Sequence, residues 1–180
     1  MLAVRQYHEN HHWQCGPASG KMILYYQDEG RSAYNNATQI QGHIGGPAHM
    51  QTNGDHSTQW DSHRFRIGLN RWREGRNTGS YVEVHDPSSR KFRHAVGYDV
   101  NSTMPFSADT VEFHDGHHYN DHPNKLKSIG HWVVIIGYYN DGYKVRFADP
   151  ATSVWPIAPK FNYNVTHFAH WYLNDNGMVW

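Results

Sequence analysis

The sequence contains a single cysteine, Cys15, among its 180 residues. One cysteine can form neither an internal disulfide framework nor a cysteine-cluster zinc site, so disulfide-stapled domains and zinc fingers are excluded. Charge is sparse and balanced, because 16 Lys and Arg residues oppose 16 Asp and Glu residues. A chain with no basic excess lacks the electrostatic footprint of nucleic-acid-binding proteins, and we do not expect nucleic acid as its main partner.

Long apolar runs are also missing. The longest, residues 132–136, is far shorter than the roughly 20 residues of a membrane-spanning helix, so no membrane span is expected. The first ten residues, MLAVRQYHEN, do not show the basic start and apolar stretch of a signal peptide. We expect a protein secreted after removal of a signal peptide that this sequence lacks, with a cytoplasmic location as the alternative.

Histidine, in contrast, is abundant, with 16 residues. Four of them cluster with two aspartates: His114, His117, His118, His122, Asp115 and Asp121. Imidazole and carboxylate groups suit zinc, but this spacing matches no strong metal motif and favours a solvated loop. We therefore predict no metal and no cofactor. Since the reference pKa of histidine is about 6.5, a response to mildly acidic pH is a further interpretation.

Hydrophobic spacing and turn residues predict the order of the elements. Helices are predicted over residues 17–29, near 36–41 and over 61–73; strands over 81–84, 131–139 and 143–148; mostly loop over 101–128; and further strands in the tail around Trp155, Phe161, Phe168 and Trp171. Because helices precede strands, we predict an α+β fold. A single domain over residues 1–180 would comprise a mainly helical lobe at about 1–75 and a mainly β lobe at about 80–180.

Cys15 lies just before the first predicted helix, in the segment WQCGPAS. Pro17 suits a first helical position, and the unpaired N–H groups at a helix start favour an anion. The pKa of a thiol at this position is expected to fall, which makes the thiolate available as a nucleophile. The alternative is a buried cysteine that packs as a small hydrophobic residue.

A thiolate nucleophile needs a base and an orienting group, and His131 and Asp149 are candidates on a predicted hairpin. With a two-residue turn at 141–142, Asp149 would pair with Val134 and point away from His131. With a three-residue loop at 140–142, Asp149 pairs with Val133 and becomes the diagonal neighbour of His131 on one face. The catalytic interpretation therefore requires the longer loop. Taken separately, the two residues are an ordinary strand-start histidine and turn aspartate.

These two segments resemble the papain-like cysteine peptidases of the bacteriocin-leader (double-glycine) peptidase type and their broader bacterial relatives. Gln6, residues 13–19 and the following helix to Tyr26 carry the first part of the resemblance; GHWVVIIGY at 130–138 and FADP at 147–150 carry the second. Together they cover about a quarter of the chain, and residues 31–129 match nothing recognisable. The resemblance implies a papain-like fold, with the nucleophile on a helical half and the histidine and aspartate on an antiparallel sheet half.

The resemblance also implies a role for each site residue. Cys15 would be the nucleophile, His131 the general base and then acid, and Asp149 the group that orients His131. The oxyanion hole would combine the Cys15 backbone N–H with a glutamine side chain, which the family places about half a dozen residues before the cysteine. Gln6 lies nine residues before it and Gln14 directly before it. We prefer Gln6, because Gln14 shares a peptide bond with Cys15.

The predicted function is that of a cysteine peptidase, which hydrolyses peptide bonds through a thioester acyl-enzyme. Its partner would be a peptide or protein held extended across a cleft, for which Trp13 and Trp132 are lining candidates unless they only pack. The same Cys-His-Asp triad could instead pass the acyl group to an amine, as in a peptide ligase, cyclase or acyltransferase. A non-catalytic, histidine-rich binding module is the remaining alternative.

Overall fold

One antiparallel sheet organises the fold. The structure, a computed structural model, describes residues 1–76, 79–123, 127–140 and 143–180. In chain order the elements are α1 (Cys15–Tyr26), α2 (Gln41–Ile44), α3 (Thr52–Asp55), α4 (Arg64–Trp72), β1 (Glu83–His85), α5 (Ser89–Asn101), β2 (Phe106–Glu112), β3 (Ile129–Tyr139), β4 (Lys144–Ala148), β5 (Lys160–Asn164), α6 (Val165–Tyr172) and β6 (Gly177–Val179). The strands hydrogen-bond in the order β1-β6-β2-β3-β4-β5, and every neighbouring pair is antiparallel. This mixture confirms the predicted α+β class.

Helices cover both faces of the central strand β3, which explains its unbroken apolar sequence. Successive residues of a strand point to opposite faces. On one face Trp132 stacks on Phe65 of α4, with ring centroids 3.9 Å apart. On the other face Phe106 of β2 packs edge-to-face on Phe92 of α5. Because both faces are buried, β3 lacks the apolar–polar alternation of a half-exposed strand.

Helix α1 is held closely against its surroundings at its first turn. It begins at Cys15, two residues earlier than predicted, and ends at Tyr26. The hydroxyl of Ser19 donates to the backbone carbonyl of Trp132 at 3.0 Å, which joins α1 to β3. A Cβ on Gly16 would collide with the side chain of Thr58, so glycine permits this close approach. The first turn of α1 therefore lies directly beside the loop that contains Thr58.

The segment 101–128, predicted to be mostly loop, also contains a central strand that was not predicted. Strand β2 pairs with both β3 and β6. Its sequence, FSADTVE, includes the buried polar residues Ser107 and Asp109. These polar residues interrupt the apolar pattern that marks a buried strand.

Two helices lie in the half that was predicted to be mainly β. Helix α5 was not predicted at all, and α6 contains Phe168 and Trp171, which were assigned to strands. The Asn164 side chain accepts hydrogen bonds from the backbone N–H groups of Thr166 and His167, and this cap starts α6. Phe161 does lie in a strand, β5.

Two other predicted elements are present with shifted bounds. The helix expected near 36–41 was wrong, because residues 36–40 are not helical and α2 begins only at Gln41. The helix expected over 61–73 is α4, which follows a short 3₁₀ turn at Trp60–Ser62. The strand expected over 81–84 is β1, at Glu83–His85. No helix in the described ranges is both long enough and apolar enough to cross a membrane.

The β3–β4 hairpin has the predicted register near Asp149, but its loop differs from the predicted loop. Tyr139 pairs with Lys144, so the predicted three-residue loop, with Tyr139 opposite Tyr143, was wrong. Asp141 and Gly142 of that loop lie outside the described residues.

A bulge in β3 then corrects the register. The ladder shifts between Ile135 and Gly137, and beyond the shift Val134 pairs with Ala148. Continuing the ladder by one residue brings Asp149 opposite Val133, which shares a face with His131. The bulge therefore supplies the offset that the loop was expected to supply.

Candidate active site

Cys15 and His131 meet where α1 begins and β3 begins. The side chain of Cys15 lies close enough to His131 to raise the pKa of the imidazole. Cys15 is half-buried and lines an open cleft of about 740 Å³. The first N–H groups of a helix have no partners within the helix, so the Cys15 backbone N–H is available to an acceptor beside the thiol. The sulfur, a base and a backbone donor thus meet at the mouth of a cleft.

Asp149 binds the far side of the His131 ring. The Nε2 of His131 lies 2.8 Å from Oδ1 of Asp149, and both side chains are buried. Because Nε2 faces the carboxylate, Nδ1 is the nitrogen left for Cys15. The structure therefore brings together the three residues that the sequence analysis selected for the triad.

Electrostatics favour the charged forms of this buried pair. Burial by itself would lower the pKa of His131, but the charge and hydrogen bond of Asp149 and the contact with Cys15 outweigh it and raise that pKa well above its usual value. Burial would likewise raise the pKa of Asp149, but His131 and His122 outweigh it and lower that pKa. An imidazolium of His131 beside the carboxylate of Asp149 is the expected state.

The carboxylate of Asp149 accepts four hydrogen bonds. Oδ1 accepts from His131 and from the backbone N–H of Ala151 at 3.0 Å. Oδ2 accepts from Nε2 of His122 and from Nδ2 of Asn120, both at 2.9 Å. These partners come from three segments and hold the carboxylate in one orientation, as an orienting group requires.

A second buried carboxylate supports His122 from behind. The Nδ1 of His122 lies 3.2 Å from Oε1 of Glu112, in an ion-pair contact. Glu112 also accepts from Nδ1 of His118 at 2.9 Å and from the backbone N–H of Tyr119 at 3.1 Å. Burial opposes protonation of His122, but its contacts with Asp149 and Glu112 outweigh burial and raise the pKa of the imidazole. The network therefore runs from Cys15 to Glu112.

Sequence analysis missed the role of His122. The histidine cluster was interpreted as a solvated loop, which holds for the exposed His114 and His117 but is wrong for the buried His122. No local pattern marks His122, because its partners Glu112 and Asp149 come from β2 and from the segment after β4.

Three of these groups could be considered as metal ligands, since His122, His131 and Asp149 offer donor atoms within 4.8 Å of one another. Each nitrogen, however, lies 2.8 or 2.9 Å from a carboxylate oxygen, which is hydrogen-bond geometry. Zinc binds such ligands at about 2.0–2.2 Å, so the ion would have to separate both pairs. The arrangement favours a hydrogen-bonded network.

The two candidate glutamines have different surroundings. Nε2 of Gln6 donates to the backbone carbonyl of Asp149 at 2.5 Å, whereas Nε2 of Gln14 donates to Oδ1 of Asn53 in α3 at 2.9 Å. Each amide nitrogen carries a second N–H that can donate elsewhere. Gln6 is thus attached to the triad, whereas Gln14 is attached to α3. Their part in an oxyanion hole stays a prediction.

A buried carboxyl group that sequence analysis did not select lies six residues before Cys15. Glu9 is 3% exposed, and its Oε2 has no hydrogen-bond partner among the described residues. Burial raises the pKa of Glu9, His131 opposes the rise and Asp149 adds to it. The backbone carbonyl of Glu9 accepts from the Ser153 hydroxyl at 2.7 Å. Glu9 therefore occupies the position in the sequence where the family's glutamine was expected, and its pKa is raised.

The cleft beside Cys15 has aromatic walls, as the sequence analysis expected. Trp13 lies at its edge and stacks between the rings of His11 and His56, at 5.1 and 4.8 Å. Trp132 both packs in the core and lines the cleft, and its Nε1 donates to the Thr58 carbonyl at 2.7 Å. The remaining lining residues are His12, Ser57, Gln59, Trp60, Asp61, Asp109, Gly130 and Asn176. An extended peptide could lie across this surface.

Comparison with known protein families gives one match. The family described as Peptidase_C39-like matches residues 1–176. No curated protein matches the chain. The family match includes residues 31–129, which carried no recognisable motif, and it includes every residue of the candidate site.

Proposed function

The chain belongs to the Peptidase_C39-like family, and we propose that it is a cysteine peptidase that hydrolyses peptide bonds through Cys15, His131 and Asp149. One observation carries the proposal: Cys15 lies close enough to His131 to raise its pKa, and Nε2 of His131 lies 2.8 Å from Oδ1 of Asp149, at the edge of a cleft. A nucleophile, a base in contact with it and a third group that orients the base form the constellation of nucleophilic acyl transfer.

In the first step, the thiolate of Cys15 attacks the carbonyl carbon of the substrate. His131 holds the thiol proton on Nδ1, and Asp149 stabilises the resulting imidazolium through Nε2. The carbonyl oxygen becomes an oxyanion, which accepts from the backbone N–H of Cys15 and from the second amide N–H of Gln6. Such donors stabilise the charge that develops in the transition state.

In the second step, the tetrahedral intermediate collapses. Nδ1–H of His131 gives its proton to the leaving amine, the C–N bond breaks and a thioester to Cys15 remains. Neutral His131 then takes a proton from a water molecule that attacks the thioester, and the carboxylic acid product leaves Cys15 as a thiolate beside imidazolium. Asp149 stays ionised throughout, because four hydrogen bonds hold it in that form.

The test compares the natural protein with Cys15→Ala. We expect a peptide library to be hydrolysed by the former, and the variant to lose at least about 10⁴-fold in kcat/KM. Iodoacetamide should label Cys15 to one adduct, measured by intact mass, in parallel with loss of hydrolysis.

Two outcomes would contradict the proposal. One is hydrolysis that persists unchanged in Cys15→Ala. The other is a product whose mass shows only transfer of the acyl group to an added amine, without hydrolysis when the amine is left out. The second result would favour a ligase or acyltransferase with the same three residues.

A further inference from the structure

Asp109 is a buried carboxylate in the cleft that the mechanism does not use. It lies in β2 directly opposite Trp132, so the two side chains share one face of the sheet, and both line the cleft. Asp109 is 3% exposed. Its Oδ2 accepts from Nδ2 of Asn176 at 3.1 Å. In the described part of the chain no cationic side chain forms an ion pair with Asp109.

Burial of a charged carboxylate costs free energy unless a positive group pairs with it, and buried charges in proteins are normally paired. Burial raises the pKa of Asp109 well above its usual range, His131 opposes the rise and Asp61 adds to it. Neither lysine nor arginine occurs among the residues that line the cleft. The positive group that acts on Asp109, His131, is already paired with Asp149, so no cation of the cleft lining is dedicated to Asp109.

The hydrogen bond to Asn176 does not explain why a charged residue stands at this position. That bond joins β2 to the residue before β6, and it needs only a carbonyl-type oxygen. An asparagine at 109 would supply the same acceptor without the cost of a buried charge. The carboxylate is therefore in excess of what the fold requires.

The surroundings of Asp109 suit the side chain of a basic residue. Asp61 lies exposed on the cleft wall and adds a second negative charge. Trp60 and Trp132 line the same cleft with ring centroids 6.1 Å apart. Aromatic faces attract cations and pack against the apolar stems of lysine and arginine.

We propose that Asp109, assisted by Asp61, forms a subsite that receives a cationic group of the substrate, supplied by a lysine or arginine side chain near the scissile bond. This inference rests on the proposed function, since the subsite lies in the cleft beside Cys15. It identifies the substrates as basic peptides.

The test uses peptides that are acetylated at the N-terminus and amidated at the C-terminus, so that only side chains vary in charge. Each position near the scissile bond carries Lys, Arg, the neutral analogues norleucine or citrulline, or Glu. We expect kcat/KM to favour Lys or Arg by at least about tenfold at one position. Asp109→Asn should lower kcat/KM by about 10- to 100-fold for the basic peptides and by less than about threefold for the neutral peptides. This difference is expected for the loss of a hydrogen bond to a charged group.

Matched variants separate recognition from folding. Asp99→Asn alters another buried aspartate, 8% exposed, in a separate cavity of about 470 Å³, and should leave the preference for basic peptides unchanged. Asp61→Asn should reduce the preference by about two- to fivefold and make it less sensitive to salt, because exposed charges interact weakly. A uniform loss for all peptides in Asp109→Asn would indicate a structural role and would overturn the inference.

A binding measurement tests the proposed subsite separately from the proposed peptidase activity. In Cys15→Ala, the fluorescence of the cleft tryptophans should report tighter binding of basic than of neutral peptides, and adding Asp109→Asn should abolish the difference. Hydrolysis without any preference for charge would overturn the subsite and leave the peptidase proposal intact. Charge-selective binding without hydrolysis by the natural protein would overturn the peptidase proposal and leave the subsite intact.

A free N-terminus is the other source of a substrate cation. Neutral peptides with a free amine are therefore compared with their acetylated forms. An advantage of the free amine that depends on Asp109 would support a cationic subsite and assign the cation to the substrate's N-terminus. If neither cation source depends on Asp109, the subsite proposal is wrong.

Discussion

Two buried aspartates next to the central strand have opposite surroundings. Asp149, which follows β4, accepts four hydrogen bonds, two of them from imidazoles. Asp109, in β2, accepts one bond from a neutral amide. Histidines lower the pKa of the first even though burial opposes them, whereas burial raises the pKa of the second. Burial alone therefore does not define what a carboxylate does, because its partners determine which form is stable.

The different surroundings give the two aspartates different proposed roles, since Asp149 positions His131 and Asp109 recognises the substrate. The network behind Asp149 is completed by the protein's own donors, so it can hold His131 in place before any substrate arrives. Asp109 forms no ion pair with a cationic side chain among the described residues, so a substrate can supply one. Four predictions test this contrast, beginning with the largest effect.

Asp149→Asn should lower kcat by about 10³- to 10⁴-fold, because an amide cannot stabilise the imidazolium and favours the wrong tautomer of His131. Steady-state hydrolysis of the preferred peptide measures the effect. Asn120→Ala removes only one neutral donor from the same carboxylate and should cost less than about tenfold. Equal effects of the two variants would show that Asp149 is a structural residue only.

His122→Ala should lower the free energy of unfolding by about 3–5 kcal/mol, because it leaves Glu112 and Asp149 buried without their shared cation. Urea denaturation measures the change. His114→Ala, which alters an exposed histidine of the same cluster, is the control and should change stability by less than about 0.5 kcal/mol. A similar small effect for His122→Ala would contradict the network.

Gln6→Ala should lower kcat by about 10²- to 10³-fold if its amide stabilises the oxyanion. Gln14→Ala should have little effect on kcat, because its amide binds Asn53 in α3. Presteady-state acylation rates compare the two variants directly. A larger loss from Gln14→Ala would assign the oxyanion role to Gln14.

The smallest effects concern the pH dependence of stability, which should have opposite signs for the two aspartates. The pKa of Asp149 is lowered in the folded state, so its contribution is present above the unfolded value of about 3.9 and is lost as pH falls through the folded pKa. The raised pKa values of His131 and His122 add stability that is complete below about 6.5 and is lost as pH rises through the folded pKa values. The network should therefore stabilise most between about pH 4 and 6.5.

The contribution of Asp109 to stability changes with pH in the opposite direction, because its pKa is raised in the folded state. As pH rises above about 3.9, the unfolded chain loses this proton before the folded protein does, so stability falls. Asp109→Asn should therefore raise Tm at pH 7 and leave it nearly unchanged near pH 3, whereas Asp149→Asn should lower Tm at pH 6. Thermal unfolding between pH 3 and 8 measures both. A lower Tm of Asp109→Asn at pH 7 would mean that its charge is paired.

Local sequence signals were sufficient for part of the fold. The valine- and isoleucine-rich run of β3 and the Cys-Gly-Pro start of α1 are local patterns, and both elements are present within two residues of the predicted start. Strand β2 was not predicted, because its buried polar residues form hydrogen bonds with segments that are distant in sequence. Ser107, for example, donates to the Val133 carbonyl at 2.7 Å, and Asp109 accepts from Asn176.

The candidate site likewise contains residues that local sequence signals could identify and residues that they could not. Cys15, His131 and Asp149 could be selected because each lies at a recognisable helix start, strand start or strand end. His122, Glu112 and Glu9 could not, because an ordinary polar residue becomes important only through what surrounds it. The bulge between Ile135 and Gly137 is a further example, since it corrects a register that no turn residue specified.

The amino-acid sequence by itself determined the helix that begins at Cys15 and the strands next to His131 and Asp149, since hydrophobic periodicity and turn chemistry act over short stretches of chain. Only the tertiary structure decided which buried charges are paired. Asp149 meets two imidazoles and Asp109 meets none, because electrostatic energy depends on distances between groups that lie far apart in sequence.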